Sequence, residues 1–155
     1  MGLKLDIQKV SQSSTLPDET LLNQWALQAL DDKNKKTEIL LRIVDEQESR
    51  ELNKAWRNKD AATNVLSFPV GEIIEQVPEL LGDVVICAPI VEREAREQGK
   101  TSESHWAHLI IHGILHLQGY DHEQERDAKI MEAKEISILK NIGYSNPYEM
   151  EKIDG

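Results

Sequence analysis

The sequence predicts an α/β (α+β) fold: one compact domain in which about five helices pack on a roughly four-stranded mixed sheet. Helical and strand-like patterns alternate irregularly along the chain, which is typical of this class. The 155 residues, 39% of them hydrophobic, correspond to one ordinary domain. Because no internal repeat or Pro/Gly/Ser-rich linker divides the chain, we expect residues 1–155 to form a single domain.

The first half of the chain contains two strand patterns, each followed by a helix pattern. Residues 3–10 alternate apolar and polar side chains like a strand, and Pro17 is well placed in the first turn of a helix. Residues 37–44 are rich in Ile, Leu and Val and predict a second strand. Asp45 and Glu48 resemble a capping pair and predict the start of a second helix.

The second half of the chain predicts two more strands and three more helices. The strand patterns cover residues 63–69 and 80–87, and the helix patterns cover residues 89–98, 102–117 and 123 to about 141. We expect Ser102 to cap the middle one of these helices and Gly119 to close it. The order of the strands in the sheet does not follow from these patterns.

The charge of the chain is unevenly distributed. The formal net charge is -10 at pH 7, with much of the acidic excess after residue 120, and this argues against a general binder of polyanions such as DNA. A local basic groove remains compatible with the sequence, because a mid-chain stretch carries Arg50, Lys54, Arg57 and Lys59 against Glu51 and Asp60.

No targeting or membrane segment is recognisable. The first residues lack the apolar block of a signal peptide, and no run approaches the roughly 18 apolar residues of a membrane span. The single cysteine, Cys87, lies in an apolar run, where a small buried side chain in a reducing compartment is more common than a catalytic thiol. We therefore predict a cytoplasmic protein without a membrane partner.

Three of the five histidines lie close together in the sequence, at His112, His116 and His122. Residues four apart on a helix differ by about 40° around the axis and about 6 Å along it, so His112 and His116 can converge on one ion. Gly119 can adopt the positive φ that ends a helix and reverses the chain. That reversal can bring His122 back toward the first two rings.

A set of three histidines is a stronger metal signal than a pair, which at this spacing is more often surface or core histidine. Three nitrogen ligands at about 2.0–2.1 Å leave the fourth tetrahedral position open, which is the pattern of a catalytic zinc site. We therefore predict one zinc ion at a helix-glycine turn, although three imidazoles also accept nickel or copper.

The spacing of the three histidines is also that of the metzincin proteases. Those enzymes have a glutamate directly after the first histidine, where it acts as general base. Gly113 occupies that position here and has no side chain to accept a proton. Peptide hydrolysis by the metzincin mechanism is therefore disfavoured.

Phosphodiester cleavage is compatible with a site that lacks this glutamate. A bound metal can lower the pKa of its water to about 7 and can polarise a phosphoryl oxygen. An arginine can compensate the charge that develops on the phosphate. Arg57 is the best candidate, although on spacing alone it would be a solvated residue at a helix end.

Three blocks of residues form a specific combination. The first block contains Leu52-Asn53 through Arg57, Asp60 and Thr63-Asn-Val-Leu-Ser-Phe-Pro69. The second is Leu81-Gly-Asp-Val-Val-Ile86, and the third is His105-Trp-Ala-His108 through His122, followed by a closing Gly143-Tyr-x-x-Pro147-Tyr148. On these residues the chain resembles the YbeY family of bacterial endoribonucleases, which act in ribosomal RNA maturation. The resemblance covers most of the chain from about residue 45 onward.

The resemblance implies a compact α/β fold and one metal, usually zinc, held by His112, His116 and His122. It also implies metal-dependent cleavage of single-stranded RNA, in processing the 3′ end of small-subunit ribosomal RNA and in ribosome quality control. The family's functionally important arginine matches Arg57, so the resemblance assigns catalytic roles to Arg57 and His112. The implied partners are ribosomal RNA, the ribosome or its small subunit, and assembly factors.

Four further residues are candidates for substrate contact, each with a structural alternative. His108 lies one turn before His112, within reach of a bound phosphate or ribose, but it could equally be a hydrogen-bonded structural histidine. Asp83 could orient a ligand histidine or cap a turn. Asn64 and Ser67 could line an RNA cleft, or they could face solvent, as polar residues of strands often do.

Two other functions are compatible with the sequence. A metalloprotease or other metallohydrolase is suggested by the metzincin-like spacing, against which Gly113 counts heavily. A non-catalytic ribosome assembly factor, in which the metal only braces the fold, is suggested by the acidic net charge. Whether metal-bound hydroxide or the 2′-hydroxyl of the RNA would attack the phosphate is also open.

Overall fold

The structure is a computed structural model that describes residues 2–70 and 79–149. Within these residues lie four strands, β1 (Leu3–Lys9), β2 (Thr37–Val44), β3 (Val65–Pro69) and β4 (Leu80–Cys87), and five helices, α1 (Glu19–Ala29), α2 (Glu46–Arg57), α3 (Ala88–Glu97), α4 (Ser102–Leu117) and α5 (Glu125–Asn141). The predicted fold class is therefore confirmed. None of the helices in these two ranges is long and apolar enough to cross a membrane.

The four strands form one mixed sheet in the order β1-β2-β4-β3. Strands β1, β2 and β4 run parallel, and β3 is an antiparallel edge strand beside β4. In the central strands Ile39 pairs with Leu5 on one side and with Gly82 on the other. Strand β3 lies beside α4, the helix that carries the histidines, and the Ser67 hydroxyl bonds to the carbonyl of Gly113.

The sheet separates two apolar cores. Successive residues of a strand point to opposite faces, so Val84 and Ile86 of β4 face the larger core, while Val85 and Cys87 face the smaller one. The larger core contains the indoles and aliphatic side chains of α1, α4 and α5, among them Leu22, Trp25, Trp106, Ile110, Ile114 and Leu139. Cys87 is a buried free thiol, which confirms its interpretation as a small core residue.

The start of α2 differs from the prediction. Asp45 is the residue before the first turn, but its carboxylate makes no capping hydrogen bond. It accepts instead from the hydroxyl of Ser11 and from the backbone amide of Gln12 at 3.0 Å, and Glu48 pairs with Arg42 of β2. The predicted capping pair is therefore wrong, because both carboxylates bond to residues outside α2.

Other boundaries shift by one or two residues. Helix α4 has the predicted bounds, but Thr101 rather than Ser102 caps it, its side chain accepting from the backbone amide of Ser104. Strand β3 begins at Val65 instead of residue 63, and α5 begins at Glu125 instead of residue 123. These shifts lie within the usual uncertainty of element ends.

Helix α4 packs closely on the sheet at Gly113. A Cβ atom at this position would lie 2.9 Å from Cγ1 of Val84, 3.2 Å from Oγ of Ser67 and 3.3 Å from Cγ2 of Val65. Only glycine lets the helix backbone pack this tightly against β3 and β4. This contact sets the height of the neighbouring His112 above the sheet.

Candidate metal centre

The three predicted ligands converge at the end of α4. His112 and His116 lie one turn apart on the helix, with ring centroids 4.7 Å apart. The ring of His122 lies 4.8 Å from that of His116 and 5.5 Å from that of His112, measured between centroids. The predicted return of the chain toward the helical pair is therefore present.

The return depends on the turn after α4. Gly119 has a φ of +100°, a conformation that side-chain-bearing residues rarely adopt. The backbone amide of Tyr120 donates to the carbonyl of Leu115 at 3.2 Å, which closes the helix. The carboxylate of Asp121 then accepts from the backbone amides of His122 and Glu123, and this local turn orients the third histidine.

The donor set fits a divalent metal ion. One nitrogen from each of the three histidines lies within 4.8 Å of the others. A tetrahedral ion with bonds of about 2.0–2.1 Å spaces its nitrogen ligands by about 3.4 Å, so small rotations of the rings reach that spacing. Burial, together with the neighbouring His112 and His122, lowers the pKa of His116 to about 4. The His116 ring is therefore neutral at pH 7 and has a lone pair for a metal.

The three histidines line a cleft of about 830 Å³. The end of α2, the loop after it and β3 also line the cleft. The other polar or charged residues around it are Asn53, Arg57, Lys59, Thr63, Asn64, Ser67, Tyr120, Asp121 and Glu123. The cleft is thus basic on the α2 side and acidic beside His122.

Arg57 is held against the wall of this cleft. Its Nη2 donates to the carbonyl of Ser67 at 2.7 Å, and its Nη1 donates to the carbonyl of Trp56 at 3.3 Å. The guanidinium carbon lies 5.0 Å from the ring centroid of Phe68, within the range of a cation-π contact. The structure therefore brings the predicted catalytic arginine to the same cleft as the three histidines.

Asn64 and Ser67 also line the cleft, and their polar atoms bond to the protein. The Ser67 hydroxyl donates to the carbonyl of Gly113 at 2.9 Å. The Asn64 amide donates to Glu94 at 3.1 Å and accepts from the backbone amide of Val65 at 2.7 Å. These contacts fix β3 against α4 and α3, and a contact of either residue with RNA stays a prediction.

Asp83 and His108 are not among the described residues that line this cleft. Asp83 is in the sheet opposite Phe68, where burial raises the pKa of its carboxyl group. His108 is buried, with its Nε2 2.5 Å from a carboxylate oxygen of Glu135. The structural alternative for His108 agrees with this placement, and an orienting role of Asp83 stays a prediction.

The carboxylate that contacts a metal histidine is Glu135 of α5, which the sequence analysis missed. Oε1 of Glu135 lies 3.3 Å from Nδ1 of His112 and 2.8 Å from the hydroxyl of Tyr148. Burial would raise the pKa of Glu135, but hydrogen bonds from His108 and His112 outweigh it and hold the pKa at about 2.

The sequence pattern of α5 marks Glu135 as an unusual acidic residue on a buried helix face. Helical periodicity places it on the same face of α5 as the buried residues Met131, Ile138 and Leu139. A lone carboxylate on an apolar helix face is rarely tolerated without partners. This pattern could have identified the residue, although not the histidines that it contacts.

Similarity to known proteins extends over almost the whole chain. Residues 6–143 match the sequence model of the family described as endoribonuclease YbeY. Two relatives named endoribonuclease YbeY, from Methylococcus capsulatus and Pseudomonas entomophila, are 52% and 49% identical, covering 94% and 98% of this chain and 95% and 97% of their own. The solution structure of TM1509 from Thermotoga maritima is similar with a TM-score of 0.55 and 27% identity, covering 92% of this chain and 99% of that one. The chain therefore belongs to the endoribonuclease YbeY family.

Proposed function

We propose that this protein is a metal-dependent endoribonuclease that cleaves single-stranded RNA during ribosomal RNA maturation. Its task would be processing of the 3′ end of small-subunit ribosomal RNA and ribosome quality control. The observation that supports the proposal is the shared cleft, which is lined by three convergent histidines and by Arg57. The relatives named endoribonuclease supply the reaction class.

His112, His116 and His122 would hold the ion at one end of the cleft. When bound, a divalent ion supplies Lewis-acid polarisation of a phosphoryl oxygen. Arg57 would bind the non-bridging oxygens of the same phosphate, since its guanidinium is always charged and lies in the same cleft. The contacts of Arg57 with the Ser67 carbonyl and the Phe68 ring orient the guanidinium before substrate arrives.

The metalloprotease alternative is less well supported by the geometry. The position after His112 would need a glutamate as general base, and at Gly113 the space for a Cβ atom is taken by Val84, Ser67 and Val65. A side chain at position 113 would therefore collide with these side chains of β3 and β4, so the position does not suit a general base.

We propose zinc as the metal, with nickel or copper as the alternatives that three imidazoles accept. The proposed partners are ribosomal RNA, the ribosome or its small subunit, and assembly factors. The proposed substrate also implies that the protein acts in the cytoplasm. A non-catalytic assembly factor, in which the metal only braces the fold, is the second candidate, because the net charge of -10 weakens intrinsic affinity for RNA.

The decisive experiment measures metal content and RNA cleavage side by side for wild type, Arg57→Ala and His112→Ala. We expect Arg57→Ala to fold, to keep its metal and to lose cleavage by about 10²–10³-fold, because the three histidines are untouched while the charge that stabilises the phosphate is removed. His112→Ala should lose both metal and cleavage. Arg93→Ala is the matched control, since Arg93 is exposed on α3 and pairs only loosely with Glu46 at 3.9 Å.

Two results would contradict the proposal. Metal-loaded wild type that leaves single-stranded RNA intact would favour the assembly factor, as would wild-type ribosome maturation in cells carrying Arg57→Ala. If cleavage occurs, analysis of product ends identifies the nucleophile: a 2′,3′-cyclic phosphate indicates attack by the RNA's own 2′-hydroxyl.

A further inference from the structure

One carboxylate lies directly behind the metal centre and is closed off from solvent. The side chain of Glu135 has no exposed surface, and three groups surround its Oε1 atom. They are Nε2 of His108 at 2.5 Å, the hydroxyl of Tyr148 at 2.8 Å and Nδ1 of His112 at 3.3 Å. The other oxygen, Oε2, has no hydrogen-bond partner among the described residues.

The chemistry of these contacts determines which nitrogen of His112 carries a proton. An ionised carboxylate can only accept hydrogen bonds, so the Nδ1 that faces it must be the protonated nitrogen. The other ring nitrogen, Nε2, then keeps its lone pair. His112 belongs to two groups of potential ligands, one with His116 and His122 and one with His108 and Glu135. Because its Nδ1 faces Glu135, Nε2 is the nitrogen left for an ion at the other group.

We propose that Glu135 is a positioning residue of the metal centre, which holds His112 as the Nδ1–H tautomer with Nε2 directed at the ion. A metal-binding histidine whose second nitrogen donates to a carboxylate is fixed in orientation and is a stronger base toward the metal. This inference rests on the proposed function, since it concerns the same metal centre. It adds a residue from α5 to a site otherwise built from α4 and the turn after it.

The cost of burying this charge supports a functional role. Glu135 shares its helix face with Met131, Ile138 and Leu139, which are all buried in the apolar core. A buried ion is costly, and an apolar residue of similar volume at such a position is often neutral or stabilising. Packing of α5 alone therefore does not account for a carboxylate at this position.

Two further residues hold the carboxylate in place. His108 donates from α4, one turn before His112, and Tyr148 donates from the segment after α5. The Tyr148 ring packs on His108 with their centroids 5.3 Å apart, and the neighbouring Pro147 carbonyl accepts from Lys100 at 2.9 Å. Tyr148→Phe would remove one of the three donors without touching His112.

The test measures Zn²⁺ affinity by competition with a chromophoric chelator, in full-length protein and without RNA. Glu135→Gln and Glu135→Ala should bind Zn²⁺ about 10–100-fold more weakly than wild type, and Tyr148→Phe should show a smaller loss. Glu125→Gln is the charge control, because this exposed glutamate lies on the same helix. Met131→Ala is the packing control, because it removes a fully buried side chain one turn before Glu135; both controls should bind Zn²⁺ like wild type.

A second measurement covers the case that the Glu135 variants do not fold. Nitrogen-15 NMR of the histidine rings in metal-free wild type should show His112 with its proton on Nδ1. An Nε2–H tautomer for His112 would overturn the inference, as would wild-type affinity in folded Glu135→Ala. Binding of two Zn²⁺ per chain, with the second lost in both Glu135→Ala and His108→Ala, would also overturn it, since Glu135 would then be a ligand.

These outcomes are distinct from failure of the proposed function. If wild type binds Zn²⁺ and cleaves RNA while the Glu135 variants match it in affinity, only the positioning role fails. If wild type binds no divalent metal, the proposed metal-dependent activity fails first.

Discussion

The hydroxyl of Ser67 donates a 2.9 Å hydrogen bond to the carbonyl oxygen of Gly113, the residue that follows the metal histidine His112. The carbonyl of the same serine accepts from Arg57 at 2.7 Å. One residue of strand β3 thus connects the arginine wall of the cleft to the histidine helix. The distance between the two walls therefore depends on how closely α4 packs on the sheet.

Substitution of Gly113 should destabilise the protein in proportion to the added volume. We expect Gly113→Ala to lower the free energy of unfolding by about 1–3 kcal/mol, because its Cβ would lie 2.9 Å from a methyl group of the buried Val84. The higher helix propensity of alanine, about 1 kcal/mol, offsets this only in part. Gly113→Glu should be less stable still and should gain no hydrolysis of casein.

Denaturant unfolding measures these differences, with Ser67→Ala as the companion variant. Loss of the Ser67 hydroxyl should cost about 0.5–1.5 kcal/mol through one hydrogen bond, without any added volume. A Gly113→Ala protein more stable than wild type would contradict the close-packing interpretation.

Arg57→Lys should not substitute for arginine. The guanidinium donates to two backbone carbonyls, of Trp56 and Ser67, while it lies over the ring of Phe68. A lysine ammonium is a single point charge and lacks the planar fork for this arrangement. We expect cleavage of a fluorescent single-stranded RNA to fall about 10–100-fold in kcat/KM with metal content unchanged; a wild-type rate would contradict this role.

Removal of metal should lower the thermal stability of the protein. The three ligands come from helix α4 and from the turn after it, so they converge only in the folded chain. An ion that binds only the folded chain adds to the free energy of unfolding, by about 2.7 kcal/mol when the free metal concentration is 100 times Kd. A chelator should therefore lower the Tm of wild type measured by calorimetry. The chelator should leave the Tm of His122→Ala unchanged, because this variant lacks one of the three ligands and holds no ion that the chelator could remove.

The thiol of Cys87 should be unreactive in the native protein. Its side chain is buried in the smaller core at the end of β4, and burial raises the pKa of the thiol. A thiol reagent at pH 8 should therefore label no cysteine in native protein and one in denaturant, the number in the sequence. Rapid labelling of native protein would contradict the buried placement.

Binding of single-stranded RNA should be modest and sensitive to salt. Lys59 lies on the wall of the cleft beside Arg57, so Lys59→Ala should remove one phosphate contact. The slope of log K against log salt should then decrease by about 0.7, the value for one contact on a single strand. Lys129→Ala, at an exposed position on α5, is the control and should leave the slope unchanged.

Local sequence pattern was sufficient for much of the fold. Strands β2 and β4 and helix α4 have the predicted bounds, because alternation and helical periodicity arise from residues near one another in the chain. The convergence of His112, His116 and His122 was predicted for the same reason. All three lie on one helix and the turn that follows it, so helix geometry and one glycine are enough to bring them together.

Tertiary structure decided the features that join distant parts of the chain. The position of β4 between β2 and β3, the approach of Arg57 to the histidines and the contact of Glu135 with His112 each join residues of different helices, strands or turns. Asp45 belongs to the same class, since its carboxylate bonds to Ser11 instead of capping its own helix. Periodicity identifies which side of a helix or strand is buried, but the partner on that side is selected by packing of the whole domain.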